Sequence, residues 1–180
     1  MIDVKGKWAL ITGAARGIGA GAAKFMAERG CNLILHGRTP EHCAKVLDEV
    51  RALGIEAYAV GAEFSDLSQV KRMLADIDAL GKDIDIVLNN AGIQVAYRTE
   101  YLKTPAEDYE KSFLINTIAP MIIVYHFQQY PRSFHDIGDS FFVQRPPLYE
   151  VFWLNRRQRV RRPRRHHDQA RLREGAQGAQ

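Results

Sequence analysis

Apolar residues recur along the first two-thirds of the chain in two alternating rhythms: short unbroken runs, and longer stretches with an apolar position every three or four residues. The runs Trp8-Ala9-Leu10-Ile11, Asn32-Leu33-Ile34-Leu35-His36, residues 55–60 and Ile84-Asp85-Ile86-Val87-Leu88 have the length and apolar density of buried strands. Between them, residues 18–29, 40–53 and 65–80 predict helices, and in the last of these Val70, Leu74, Ile77 and Leu80 share one face. Glycines at 30, 54 and 81 stand where the three helices should stop. Thr39-Pro40-Glu41 and Ser65-Asp66-Leu67-Ser68 supply starts for the second and third. Thr104-Pro105-Ala106-Glu107 reads as a capping box opening a long helix that carries Phe113, Ile115 and Asn116. Regular alternation of this kind predicts parallel βαβ units, and right-handed crossovers give them the strand order 3-2-1-4. The fold class is therefore α/β, a Rossmann-like doubly wound parallel sheet with its switch point between strands one and four.

After residue 127 the pattern fails. Gln128-Gln129-Tyr130-Pro131 has no helical stripe, and Pro146-Pro147 breaks any regular element near it. Ser140-Phe141-Phe142-Val143-Gln144 is a candidate fifth strand, and residues 149–154 could cover exposed apolar surface. From Arg156 the chain becomes an arginine-rich tail that cannot bury enough apolar surface to order itself. The organisation expected is a dinucleotide-binding unit over 1–127, an irregular segment over 128–155 and a basic tail over 156–180.

The first strand runs directly into Thr12-Gly13-Ala14-Ala15-Arg16-Gly17-Ile18-Gly19. A strand must end there, the backbone must turn sharply, and a helix must begin with its free N–H groups aimed outward at a pyrophosphate. Gly13 permits the turn, Gly17 leaves a phosphate free to approach the backbone, and Gly19 lets the helix pack closely. No Gly-Lys-Ser/Thr comes after it, which separates the segment from a P-loop.

Together with Asn89-Asn90-Ala91-Gly92 after the fourth strand and Asn116 in Leu114-Ile115-Asn116-Thr117, this turn resembles the short-chain dehydrogenase/reductase family, from about residue 5 to about residue 127. The resemblance implies a hydride transfer between a nicotinamide cofactor and a small carbonyl or alcohol substrate. It implies a cofactor site built from Gly13, Ala15, Arg16, Gly17, Ile18 and Gly19, with Asn90, Ala91 and Gly92 beside them. Glu63 and Phe64 fall where the family commonly has an Asp that meets the adenine amino group, and Asn116 matches the asparagine that supports a water-linked proton relay. The family's Tyr-x-x-x-Lys, in which the lysine lowers the tyrosine's pKa, is absent from all seven tyrosines of the chain. Ser140 and Tyr149 are poor substitutes. Little or no turnover is expected, and a non-catalytic nucleotide-binding module is the alternative. The abrupt end of the motifs, with no lysine after Lys111, suggests an out-of-frame continuation beyond residue 127.

Charge refines the cofactor. Strand two runs out into His36-Gly37-Arg38-Thr39, with no acid to hold the ribose hydroxyls of NAD. Arg38 and Arg16 are placed to meet a 2′-phosphate, so NADP is the cofactor expected and NAD the second choice.

The net charge of +4 changes the picture only in the tail. Residues 1–155 hold 16 Lys and Arg against 19 Asp and Glu, whereas residues 156–180 hold 9 Arg against 2 acids. Such a tail attracts phosphate, but no nucleic-acid reading fold accompanies it, and nucleic acid is not the expected partner. No signal-peptide or membrane-span pattern occurs, so a cytoplasmic location is expected. The stretch 113–127 reads as a buried helix. Cys31 and Cys43 read as free buried thiols, with no metal site. A sheet ending at strand four would leave an unpaired edge, which invites association or aggregation and makes a homo-oligomer one candidate assembly.

Overall fold

The computed structural model describes residues 3–95, 104–128, 141–144 and 151–153. Four parallel strands form its centre: β1 (Trp8–Ile11), β2 (Asn32–Gly37), β3 (Ala57–Gly61) and β4 (Ile86–Asn89). Their order is β3-β2-β1-β4, as the alternating pattern predicts, and β1 lies in register with both neighbours through Leu10↔Ile34 and Leu10↔Val87. The sheet continues past β4. β5 (Phe141–Gln144) pairs parallel to it and β6 (Val151–Trp153) pairs antiparallel to β5, so the candidate fifth strand is formed and the edge lies further out than a four-stranded sheet would place it.

Helices cover both faces because each central strand is apolar on both sides. Trp8 and Leu10 point to one face, where they join Ile34 and Val60 against Val70, Met73, Leu74 and Ile77 of α3 (Leu67–Ala79) and Ile115, Ala119 and Ile123. Ala9 and Ile11 point to the other, where Leu33 and Leu35 pack with α1 (Gly17–Ala27) and α2 (Ala44–Arg51). The expected α3 face is present with one addition, Met73, and Leu80 sits at its margin. Asp66 caps this helix: its carboxylate accepts from the Ser68 N–H at 2.9 Å, and hydrogen bonds from the Ser68 hydroxyl and the Gln69 amide, with that N–H, hold its pKa below the ordinary value.

Three local expectations need correction. The helix expected from residue 40 begins as a tight turn over Pro40–Cys43, with Thr39 N–H donating to His42 Nδ1 at 3.2 Å, before α2 opens. Before α4 (Ala106–Phe113) it is Pro105, not Thr104, that stands at the N-cap, and no side chain caps it. The apolar stretch 113–127 is helical but buries only one side: α5 (Ala119–Gln128) buries Ala119, Pro120 and Ile123, while Phe113, Met121 and Tyr125 are more than half exposed.

Between α4 and α5 the helix widens over Leu114–Ile118, where the Ala119 N–H reaches back to the Leu114 carbonyl, five residues away. Pro120 explains the widening: it has no N–H to return to the Asn116 carbonyl, and its ring crowds the preceding turn. Among the described residues no helix is long and apolar enough to cross a membrane. Cys31 and Cys43 are buried free thiols, and burial pushes them up to about 12 and about 11 respectively, so neither is a reactive thiolate. The arginine-rich tail, Ser140 and Tyr149 lie outside the described residues.

Candidate cofactor-binding site

β1 ends at Ile11, and Thr12 to Arg16 carry the chain round to α1 at the carboxyl edge of the sheet. Gly13 and Gly17 both take positive φ, 66° and 58°, which the turn requires and which side-chain-bearing residues rarely adopt. Nothing lies within 4 Å of where a Cβ on Gly17 would stand, so its outer side is open. At Gly19 the reverse holds. A Cβ there would collide with the Gly13 carbonyl and come 2.6 Å from Asn90 Nδ2, so the close approach that this glycine allows is to the turn and to the loop after β4.

The start of α1 lacks a side-chain cap. Arg16 is the N-cap residue, in extended conformation, and its side chain makes no capping hydrogen bond; the first turn holds no acid. A helix begun in this way leaves its first N–H groups and the positive end of its dipole facing outward, without an internal anion. Arg16, Gly17 and Ile18 are exposed there, Ile18 by 60%. Ala15 is half-buried behind them.

The loop after β4 holds this turn in place. Thr12 is fully buried and its hydroxyl accepts the N–H groups of Asn90 at 2.9 Å and Ala91 at 3.0 Å. Asn90 Nδ2 donates to the Thr12 and Gly13 carbonyls at 3.0 and 3.2 Å. Otherwise orphaned groups of the turn and its neighbour are satisfied by two side chains from strands adjacent in space but 78 residues apart in sequence. Asn89, by contrast, is buried against the Pro120 carbonyl and takes no part in the turn.

Asn116 lies at the widened helical turn. Its Oδ1 accepts the Ile93 N–H at 2.9 Å, and its Nδ2 donates to the Ile93 carbonyl at 2.8 Å and to Ser112 Oγ at 3.0 Å. A Cβ on Gly92 would stand 3.1 Å from that Oδ1. Asn116 thus pins the segment that comes after Asn90-Ala91-Gly92, and the structure brings it to the same edge as the glycine turn.

The remaining sequence-predicted residues sit at the ends of β2 and β3. Arg38 is exposed just beyond β2, and neither it nor Arg16 forms an ion pair among the described residues. Phe64 is buried, and Glu63 is half-buried with Oε1 accepting the Ser65 N–H at 3.4 Å. Sequence reasoning missed two members of this edge. Thr12 stood in the motif without a role, and His36 was read only as the end of a strand. The first could have been suspected from a hydroxyl opening the turn; the second had no local signal.

The comparisons with known proteins bear on the same stretch. The family model described as short chain dehydrogenase matches residues 7–132. The hydroxynaphthalene reductase-like protein Arp2 of Metarhizium anisopliae is 36% identical over 132 residues, which are 73% of this chain and 49% of that protein. The chain therefore spans about half the length of the curated relatives it matches. A metagenomic short-chain oxidoreductase solved in complex with NADP superposes with a TM-score of 0.66 at 25% identity, over 71% of this chain and 56% of that one. A blue fluorescent protein from a metagenomic library, solved with NADPH, superposes with a TM-score of 0.65 at 28% identity, over 71% and 52%. With the strand order, the glycine turn and a family match over residues 7–132, the chain belongs to the short-chain dehydrogenase/reductase family.

Proposed function

We propose that this chain binds a nicotinamide dinucleotide, with NADP(H) preferred over NAD(H), as the cofactor unit of an oxidoreductase acting on a carbonyl or alcohol. The observation that carries the reading is the uncapped, acid-free start of α1 above a turn that only glycine can make. Gly13, Gly17 and Gly19 shape the cradle, Ala15 and Ile18 offer it apolar surface, and Asn90, Ala91 and Gly92 wall it from the β4 side. Glu63 and Phe64 bound the adenine end. When bound, the nicotinamide ring gives or takes the hydride. The chain's own contribution is to hold the dinucleotide against main-chain N–H groups and to keep the 90–93 loop fixed through Asn116.

NADP(H) preference rests on two exposed arginines, Arg16 at the start of α1 and Arg38 just beyond β2, and on the absence of an acid at the end of β2 that would repel a 2′-phosphate. Hydroxynaphthalene reductase-like relatives and NADP-bound neighbours support the same class of chemistry. Their substrates do not transfer, because the matched stretch is the part that carries the cofactor cradle. Without Tyr-x-x-x-Lys, proton transfer lacks its donor, and general acid–base catalysis is worth about 10²–10⁴-fold. Slow turnover is the expected consequence, and a non-catalytic nucleotide-binding module is the alternative reading.

Titration with NADPH and NADH, monitored by fluorescence, tests the reading. NADPH should bind more tightly, and Arg38→Ala should reduce that preference by about tenfold through loss of a charge-assisted contact. Equal affinities would sink the preference, and no binding of either nucleotide would sink the cofactor reading. Robust reduction of a panel of ketones would overturn the expectation of slow turnover.

A further inference from the structure

His36 belongs to β2, yet its side chain joins three elements beneath the cradle. It is 3% exposed, and its ring lies stacked on Phe64 with centroids 4.2 Å apart and planes 13° from parallel. The Gly13 N–H points at Nδ1 at 3.3 Å, and Nε2 lies 3.0 Å from the Ala62 carbonyl. Gly13 can only donate and Ala62 can only accept. One protonation state satisfies both: a neutral imidazole with its hydrogen on Nε2. The main chain runs alongside, with Ala14 N–H donating to the His36 carbonyl at 2.9 Å and Ala62 N–H to the Gly37 carbonyl at 3.1 Å. Burial agrees with this state, lowering the imidazole's pKa to about 4 against the opposing pull of the Ala62 carbonyl and Glu63.

We infer that His36 is a positioning residue for the dinucleotide: its neutral imidazole ties the first glycine of the turn to the 62–64 loop. The phosphate side and the adenine side of the cradle then share one rigid floor. A turn held only by its own backbone could shift relative to β3. Here Gly13 cannot move without losing the acceptor of its half-buried N–H, and Phe64 cannot move without losing the stack. The inference rests on the cofactor reading proposed for this chain.

The test uses the full chain and three variants, titrated with NADPH and checked for folding by circular dichroism. His36→Asn carries an oxygen close to the place of Nδ1 and keeps an acceptor for Gly13. His36→Gln reaches Ala62 with its amide nitrogen but leaves Gly13 unpaired. His36→Phe keeps the stack and loses both bonds. The Phe variant, which loses both bonds, and the Gln variant, which strands the half-buried Gly13 donor, should bind NADPH about tenfold more weakly, and the Asn variant, which keeps that donor paired but gives up the tie to Ala62, about threefold more weakly. Proton–nitrogen correlation spectra near neutral pH should show His36 as the Nε2–H tautomer. A folded Phe variant that binds as tightly as wild type overturns the inference, as does an Nδ1–H tautomer or an imidazolium. If the Phe variant does not fold, the other two decide, and equal affinities for Asn and Gln overturn it. A wild-type chain that binds no dinucleotide overturns the cofactor reading and this inference together, whereas unchanged binding across the variants overturns the inference alone.

Discussion

At the amino ends of the strands polar groups close on one another, and at the carboxyl ends they hold a surface open. At the amino end, the Trp8 N–H donates to Asp85 Oδ2 at 2.9 Å, and Lys82 pairs with Glu56 at 2.9 Å while lying 5.0 Å over the Trp8 ring. Trp8 in turn stacks on Tyr58. At the carboxyl end, His36 and Asn90 satisfy the backbone of the glycine turn from behind and the Thr12 hydroxyl holds the loop after β4, while the start of α1 faces outward with no acid and no side-chain cap. The same sheet thus ends in a closed polar seam on one side and an open, uncapped helix start on the other. The difference comes from where the polar partners stand: across the seam at the amino end, and under the turn at the carboxyl end.

The contrast can be broken most severely at Gly19. Gly19→Val should abolish measurable NADPH binding and cost about 3 kcal/mol of stability or more, since the new side chain meets the Gly13 carbonyl and Asn90 with no room to shift. Denaturant unfolding and nucleotide titration would check it, and a variant with unchanged binding would remove the glycine argument.

Acid should act next, and on the carboxyl end first. The unfolded chain's histidine takes up a proton near its ordinary value of 6.5, while His36 in the folded chain resists until about pH 4. Between those limits the unfolded state binds more protons, so the contribution is complete above pH 6.5 and is lost as pH falls, by up to about 3 kcal/mol from this group. Urea midpoints for wild type and His36→Asn across that range should converge toward acid. Parallel curves would show that His36 is not the group responsible.

The smallest effect is expected at the amino end. Lys82→Ala removes an exposed ion pair and a contact with the Trp8 face, so it should lower the melting temperature slightly and leave NADPH affinity as it was. A change in affinity would mean that the two ends are coupled and that the comparison is too simple.

Much of the fold was legible in the sequence because it is written in local periods. Four apolar runs became four parallel strands in the expected order, Gly13 and Gly17 took the positive φ that a sharp turn needs, and Gly19 allowed a close approach. What failed was direction and partnership. Apolar content over 113–127 announced a helix but not that Phe113, Met121 and Tyr125 would stay exposed, because composition does not say which face a neighbour covers. The widened turn at Leu114–Ile118 did have a signal, a proline four residues after Asn116, and it is the missing N–H of Pro120 that makes it intelligible.

By itself, then, the sequence determined the class of fold, the position of the glycine turn and the family, since each depends on spacing within a short segment. Tertiary structure alone decided what holds the turn. Asn90 and Thr12 meet across 78 residues, and His36 meets Gly13 and Ala62 across 23 and 26. Hydrogen bonds of that reach are set by strand order and register, which bring distant residues to one edge of the sheet, and no local pattern encodes them.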